Sequence, residues 1–280
     1  MDAIAYARVL DYPLANIVMG VLLALFFGGV IFWTERARRG RSQYVRPIAG
    51  LAAVNEAVGR ATEMGRPVLF VPGIADVDDI QTIAAVVILS SVAKTAARYD
   101  TRTIFATCSP LLFPVAEETI RNAYADAGRP DAFSRDDVRF LSSDQFAFTA
   151  GVTGIMLREK PAATVFMGAF WAESLILAET GVLAGAIQIA GTANVSQLPF
   201  FVAACDYTLI GEELYAAGAY LSHDARLLGS LKASDAMKVL VAVLIAIGVL
   251  TATIPPIDDL FDRLLGIHFA EFFEFTDPNG

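Results

Sequence analysis

Residues 66–107 read RPVLFVPGIADVDDIQTIAAVVILSSVAKTAARYDTRTIFAT. The run from Pro67 to Pro72 is short, unbroken and apolar and closes on Gly73, which suits a strand buried on both faces of a parallel sheet. Asp76, Asp78 and Asp79 follow, where carboxylates favour the free N–H groups of a helix start. A helix then runs to about Tyr99 through AAVVILSSVA, apolar nearly all round. One face of a sheet needs only an apolar stripe, so a second neighbour must cover the remainder: the membrane, another helix of the domain, or another protomer. Thr103 to Thr107 returns as a second strand, completing a βαβ unit.

The alternation continues outward in both directions. Ala49 to Arg66 has helical spacing and ends near Gly65, and Pro110 to Ala127 reads as a helix closing at Gly128. Gly128 to Asp137 is a polar loop rather than a domain boundary. Val138 to Leu141 is a strand, Gln145 to Arg158 a helix, Ala163 to Met167 a strand and Ala172 to Leu183 a helix. Ala186 to Ala190 and Phe200 to Cys205 read as the last two strands, with Glu212 to Leu221 as the final helix. The pattern predicts an α/β fold: a doubly wound, mostly parallel Rossmann-like sheet of about six strands, flanked by two transmembrane helices.

Those flanks are the uncharged apolar runs Leu14 to Trp33 and Val239 to Ile254. Twenty residues at 1.5 Å each cover the ~30 Å hydrocarbon core of a bilayer. The second run is shorter, but Lys238 can snorkel at one end and Pro255-Pro256 stops it at the other. Asp2, Arg8 and Asp11 precede the first run in place of a basic cluster, so an uncleaved anchor fits better than a signal peptide. Arg36, Arg38, Arg39, Arg41 and Arg46 follow it, opposed only by Glu35, and Lys232 and Lys238 lead into the second run. The positive-inside rule then puts the domain in the cytoplasm and both termini outside, as a two-pass membrane protein. The expected organisation is an anchor over 1–34, a basic segment over 35–49, the α/β domain over 50–235, a second span over 236–256 and an acidic tail over 257–280. In that tail Ile257, Leu260, Phe261, Leu264, Leu265 and Phe269 fall at helical spacing, for the outer membrane surface or for a partner protein.

Composition excludes some functions. Net charge is -9 over 280 residues, so a general nucleic-acid surface is not expected. The hydrophobic fraction of 55% exceeds that of an ordinary soluble protein, and the two spans account for only part of the excess. Cys108 and Cys205 give no disulfide framework and no metal spacing, and both lie in apolar runs as small buried residues.

In a doubly wound sheet ligands bind beyond the carboxyl ends of the strands. Those ends are expected at Gly73 to Asp79, Thr107 to Pro110, Gly168 to Glu173, Gly191 to Gln197 and Asp206 to Glu213. Gly191, Thr192, Ala193 and Asn194 can offer N–H groups to an anion at a helix start, or can simply make the turn. No GxGxxG follows the first strand and no GxxxxGK[ST] occurs, which disfavours a conventional dinucleotide or P-loop site. Glu173, Asp206, Glu212 and Glu213, joined by Asp76, Asp78 and Asp79, could hold Mg²⁺ or Ca²⁺. Each sits at a predicted helix start, so capping is the better reading. His223 and His268 are separated by the expected topology, and no serine or cysteine has a base at recognisable spacing. The candidate ligand-binding residues are therefore Gly73, Asp76, Gly191, Thr192, Asn194, Asp206, Glu212 and Glu213. No catalytic or metal-binding residue and no particular cofactor is indicated.

NEAVGRATEMGRPVLFVPG (55–73), REKPAATVFMGAFWAESLILAETG (158–181) and GAIQIAGTANVSQLPFFVAACDYTLIGEELYAAGAYLS (185–222) carry a family resemblance. Over roughly Leu51 to Ile254 the chain resembles a domain-of-unknown-function family of bacterial membrane proteins. The resemblance implies a bacterial Rossmann-like domain tethered to the cytoplasmic (inner) membrane, and no activity. Three functions follow as expectations. The first is a structural or assembly subunit that packs against copies of itself or other membrane-complex subunits, with the lipid bilayer as its other partner. The second is a ligand-binding or sensing module using the strand-end loops. The third is a carboxylate- and metal-dependent enzyme.

Overall fold

A computed structural model describes residues 13–38, 49–222 and 225–253. The chain divides into two compact units, Tyr44–Asp224 and the pair of segments Met1–Gln43 and Ala225–Gly280. The expected outer tail over 257–280 and most of the basic segment over 35–49 lie outside the described residues.

The two-segment unit holds the helices α1 (Pro13–Arg38) and α9 (Ala225–Thr253) packed against each other. A Cβ added at Gly229 would lie 2.5 Å from Thr34 Cα, so glycine is what lets the two backbones approach there. The last turns of α1 therefore meet the first turns of α9. Leu23, Phe27 and Ile31 on α1 and Val239, Ile245 and Val249 on α9 remain exposed.

The other unit runs α2 (Ala49–Met64), β1 (Val68–Gly73), α3 (Ile80–Arg98), β2 (Thr103–Thr107), α4 (Leu112–Asp126), β3 (Val138–Phe140) and α5 (Gln145–Glu159). It continues through β4 (Ala163–Ala169), α6 (Glu173–Ala184), β5 (Ile187–Thr192), α7 (Leu198–Ala204), β6 (Tyr207–Ile210) and α8 (Glu212–Ser222). All six strands are parallel, in the order β3-β2-β1-β4-β5-β6 of the doubly wound folds. Every residue of β1, β2 and β4 is buried, as a strand covered on both faces requires.

Two cores result from the alternation of side chains along the strands. Val68, Phe70, Phe105, Val165 and Met167 face α2, α3, α4 and α8. Leu69, Val71, Ile104 and Phe166 face α5, α6 and α7, where Phe166, Phe170 and Phe201 pack with ring centroids 5.1–6.1 Å apart. Helix α3 is long and apolar enough to cross a membrane, yet it is a core helix. Ala85, Ile88, Leu89, Val92 and Ala93 are buried in it, and α2, α4 and α8 of the same unit cover the surplus.

One strand differs from the sequence reading. Phe200 to Cys205 is not a strand but most of α7, and the strand is β6, beginning at Tyr207. Pro199 occupies the first turn of α7, where its fixed φ and missing N–H favour a helix start. The apolar run LPFFVAA is therefore wound, and only four residues between Asp206 and Gly211 are left to extend.

The neighbour order reverses at the β1–β4 pair, and there the ladder is irregular. Val71 pairs with Phe166 but Gly73 with Ala169, so β4 carries one extra residue. Gly73 (φ +84°) and Gly168 (φ +136°) lock the two strand ends together: a Cβ on Gly73 would overlap the Ala169 carbonyl oxygen, and one on Gly168 the Pro72 oxygen.

Candidate functional site

The crevice beyond the β1–β4 switch is where a doubly wound sheet places its ligand. Its first wall is the β1–α3 loop. Asp79 caps α3, accepting from the Gln81 and Thr82 amides at 2.7 and 3.2 Å. Asp76 Oδ1 accepts from Val77 N at 2.8 Å and from Ser109 Oγ at 2.6 Å, while Ser109 Oγ accepts from Leu112 N. These carboxylates close loops and cap helices.

The opposite wall is the β4–α6 loop, where Glu173 is fully buried. Its carboxylate accepts from Trp171 N at 2.9 Å and from Gln145 Nε2 at 2.5 Å. Cys108 lies between the walls, its sulfur 3.4 Å from the Ile74 carbonyl oxygen. Burial pushes its thiol up to about 11, and the Glu173 and Asp76 charges act in the same direction. A thiol so placed is protonated and unreactive at neutral pH.

The third wall follows β5. Gly191 packs tightly, since a Cβ there would lie 2.6 Å from Met167 Sδ. The N–H of Ala193 donates to Gln81 Oε1 at 2.7 Å, and that of Asn194 donates to Thr192 Oγ1 at 3.2 Å. Thr192 Oγ1 also donates to Gln81 Oε1 (3.3 Å), Gln81 Nε2 to Asn194 Oδ1 (3.2 Å), and Asn194 Nδ2 to the Phe170 carbonyl (2.6 Å). The N–H groups proposed for an anion are thus engaged by the protein itself, and Gln81 spans the crevice to engage them. Sequence reasoning missed Gln81. Its signal is an amide on the buried face of the first turn of an otherwise apolar helix.

The candidate residues do not all converge. Gly73, Asp76, Gly191, Thr192 and Asn194 surround the crevice. Glu212 and Glu213 stand in the first turn of α8 beyond the edge strand, where Glu213 Oε2 accepts from Ile210 N at 3.1 Å. Asp206 is at the other end of the sheet. Because β6 starts after it, Asp206 lies at the amino end of the strand, accepting from Gln188 N at 2.8 Å beside Glu56 and Arg60. Among the described residues no three or more His, Cys, Asp or Glu side chains are grouped to hold a metal ion.

What opens at the carboxyl end is a groove of about 510 Å³ lined by Gln145, Trp171, Ala172, Leu175, Gln197 and Phe200. It continues into an unusual surface. Residues 161–205 contain two ionisable acids, Glu173 and Glu179, and no Lys or Arg, and Glu173 is buried. Trp171, Leu175, Ile176 and Val182 on or beside α6, with Phe200 and Val202 on α7, are 38–59% exposed. Phe146 and Leu157 on α5 and Leu183 at the end of α6 extend the same layer. Ion pairs gather on α4, where Arg121 meets Glu117 and Glu118, around Arg102 and Asp137, and at the C-terminal end of α5, where Glu159 meets Arg102 and Arg139.

Fold and crevice define a parallel six-stranded α/β module with helices on both faces of the sheet and its carboxyl-end polar groups bonded to one another. The chain belongs to the family described as "Domain of unknown function (DUF6754)", whose profile matches residues 8–261. No curated protein and no solved structure matches it.

Proposed function

We propose that this chain is a membrane-anchored α/β module serving as a structural or assembly subunit of a bacterial cytoplasmic-membrane complex. The observation that carries the reading is the solvent-facing surface of α6 and α7, apolar but for a single exposed carboxylate, Glu179, and continued on α5 by Phe146 and Leu157. A soluble domain that works alone gains nothing from such a layer, whereas a subunit buries it. The engaged crevice points the same way, because a ligand there must first displace Gln81 from Ala193 and Thr192.

In this reading α1 and α9 are the two transmembrane helices. Over 20–33 and 239–250 their exposed side chains are apolar, which suits lipid contact. Arg36 and Lys232 lie near the end where α1 stops and α9 starts, which supports a cytoplasmic side for that end and for the α/β unit, with the termini outside. Ser134 is exposed in the loop before β3, so an impermeant maleimide should label Ser134→Cys in spheroplasts only after lysis. Labelling from outside refutes the orientation, and release of the protein by alkaline carbonate refutes the anchoring.

A second reading, ligand binding, is favoured by the groove itself. Two aromatic side chains and two amides, Gln145 and Gln197, suit a planar amphiphilic molecule, and the volume is within the ~300–1,000 Å³ of small-molecule sites.

A further inference from the structure

We propose that the α5–α6–α7 face docks a second copy of this chain, the two faces meeting about a two-fold axis. This rests on the assembly reading above and names its partner. The area is sufficient. At ~150–250 Å² for a large aromatic side chain, exposures of 38–80% over the apolar residues of the layer amount to roughly 800 Å². That exceeds the ~300–600 Å² of the largest apolar patch on a typical monomer. It equals the ~800 Å² per partner of a standard stable interface.

The charge pattern selects the occupant. In a two-fold contact each patch meets its own copy, so every charge near the axis faces a like charge. Over α6 and α7 this face has one exposed charged side chain, Glu179, with Arg158 at its α5 margin, and on a chain of net charge -9 it is a part of the protein that such a contact tolerates. An anionic lipid surface would call for Lys or Arg among the apolar side chains; α6 and α7 carry none, and the exposed Arg158 and Lys160 stand only at the C-terminal end of α5. The groove beside Trp171 and Phe200 provides the recess that an apolar anchor from the partner copy fills. Side chains at 55–59% exposure, such as Trp171, Val182 and Val202, supply such anchors.

The test uses the full chain in nanodiscs. Single cysteines are introduced on α6 (Leu175→Cys, Val182→Cys) and, as a control on the opposite helix layer, on α4 (Glu118→Cys). Cys108 and Cys205 are silent, since burial raises both thiols, to about 11 and about 12. Mild oxidation should link dimers through positions 175 and 182 and not through 118. Val182→Lys combined with Val202→Lys replaces exposed side chains, so the thermal midpoint should hold within a few degrees while the dimer dissociation constant rises at least 100-fold. Equal linking at 118, or a dimer that survives the two lysines, overturns this inference and leaves the assembly reading standing. Protection of 175 and 182 from a water-soluble maleimide by bilayer alone, without linking, assigns the face to lipid and overturns it as well. A wild-type monomer with no co-purifying partner overturns the assembly reading itself.

Discussion

Gly73→Ala should be among the most damaging single-methyl changes in the α/β unit. Two costs combine. The residue sits at φ +84°, and an L side chain in left-handed backbone costs about 1–2 kcal/mol. Its new methyl would also overlap the Ala169 carbonyl oxygen, a backbone atom fixed by the Ile74 N–H bond at 2.9 Å. Forcing an extra methyl into closed packing costs about 1–3 kcal/mol more. The sum, about 2–5 kcal/mol, is a large share of the ~5–15 kcal/mol that holds a typical domain together. At about 2–4 °C per kcal/mol for a domain of this size, the thermal midpoint should fall by about 10 °C. Gly128→Ala is the control, because φ is +77° there but nothing lies within 4 Å of the added Cβ. It should lose only the backbone part, about 3–6 °C. The assay is thermal unfolding of the full chain followed by tryptophan fluorescence and circular dichroism. Equal shifts for the two variants would refute the close approach of β1 to β4. Gly168→Ala meets the reciprocal obstacle at Pro72, and the double variant should be less than additive, since either change alone already separates the strand ends.

Two further outcomes follow from thiol burial and from the crevice. The native thiols should resist alkylation at pH 7–8: with Cys108 at about 11 and Cys205 at about 12, against 9.0 for a free thiol, their thiolate fractions are about 100- and 1,000-fold lower, and labelling should accelerate only as pH rises toward those values, so prompt labelling of folded protein at pH 7.5 contradicts their burial. Gln81→Leu removes the acceptor for the Ala193 amide, which should cost about 1–3 kcal/mol and speed hydrogen exchange at that amide; unchanged exchange at Ala193 would show that Gln81 does not close the crevice.

The sequence makes the order of elements readable because buried parallel strands such as VLFVPG and ATVFMGA are too apolar and too short to be anything else in a chain that alternates them with helices. The exception is instructive. LPFFVAACDYTLI contains a helix and a strand of similar apolarity, and periodicity cannot divide so short a run. Misplacing that strand by a few residues carries Asp206 from one end of the sheet to the other. The site was legible only in part for a different reason. Capping by Asp79 follows from local rules, but the bond from Gln81 to Ala193 joins residues 112 apart in sequence, and no local pattern announces it. The surplus apolarity of α3 was visible, yet only the packing of α4 and α8 against it shows that the surplus is internal and that the uncovered face belongs to α5, α6 and α7.

The two outermost strands bear on how such a module can multiply. β3 has three residues and β6 has four, against seven in β4, so the sheet tapers at both margins. An incoming strand would find too few free N–H and C=O groups to continue the ladder. Growth by endless strand addition, the route to fibres, is therefore blocked at either side by brevity alone. Copies brought together at high density can adhere through helices without the risk of polymerising through their sheets.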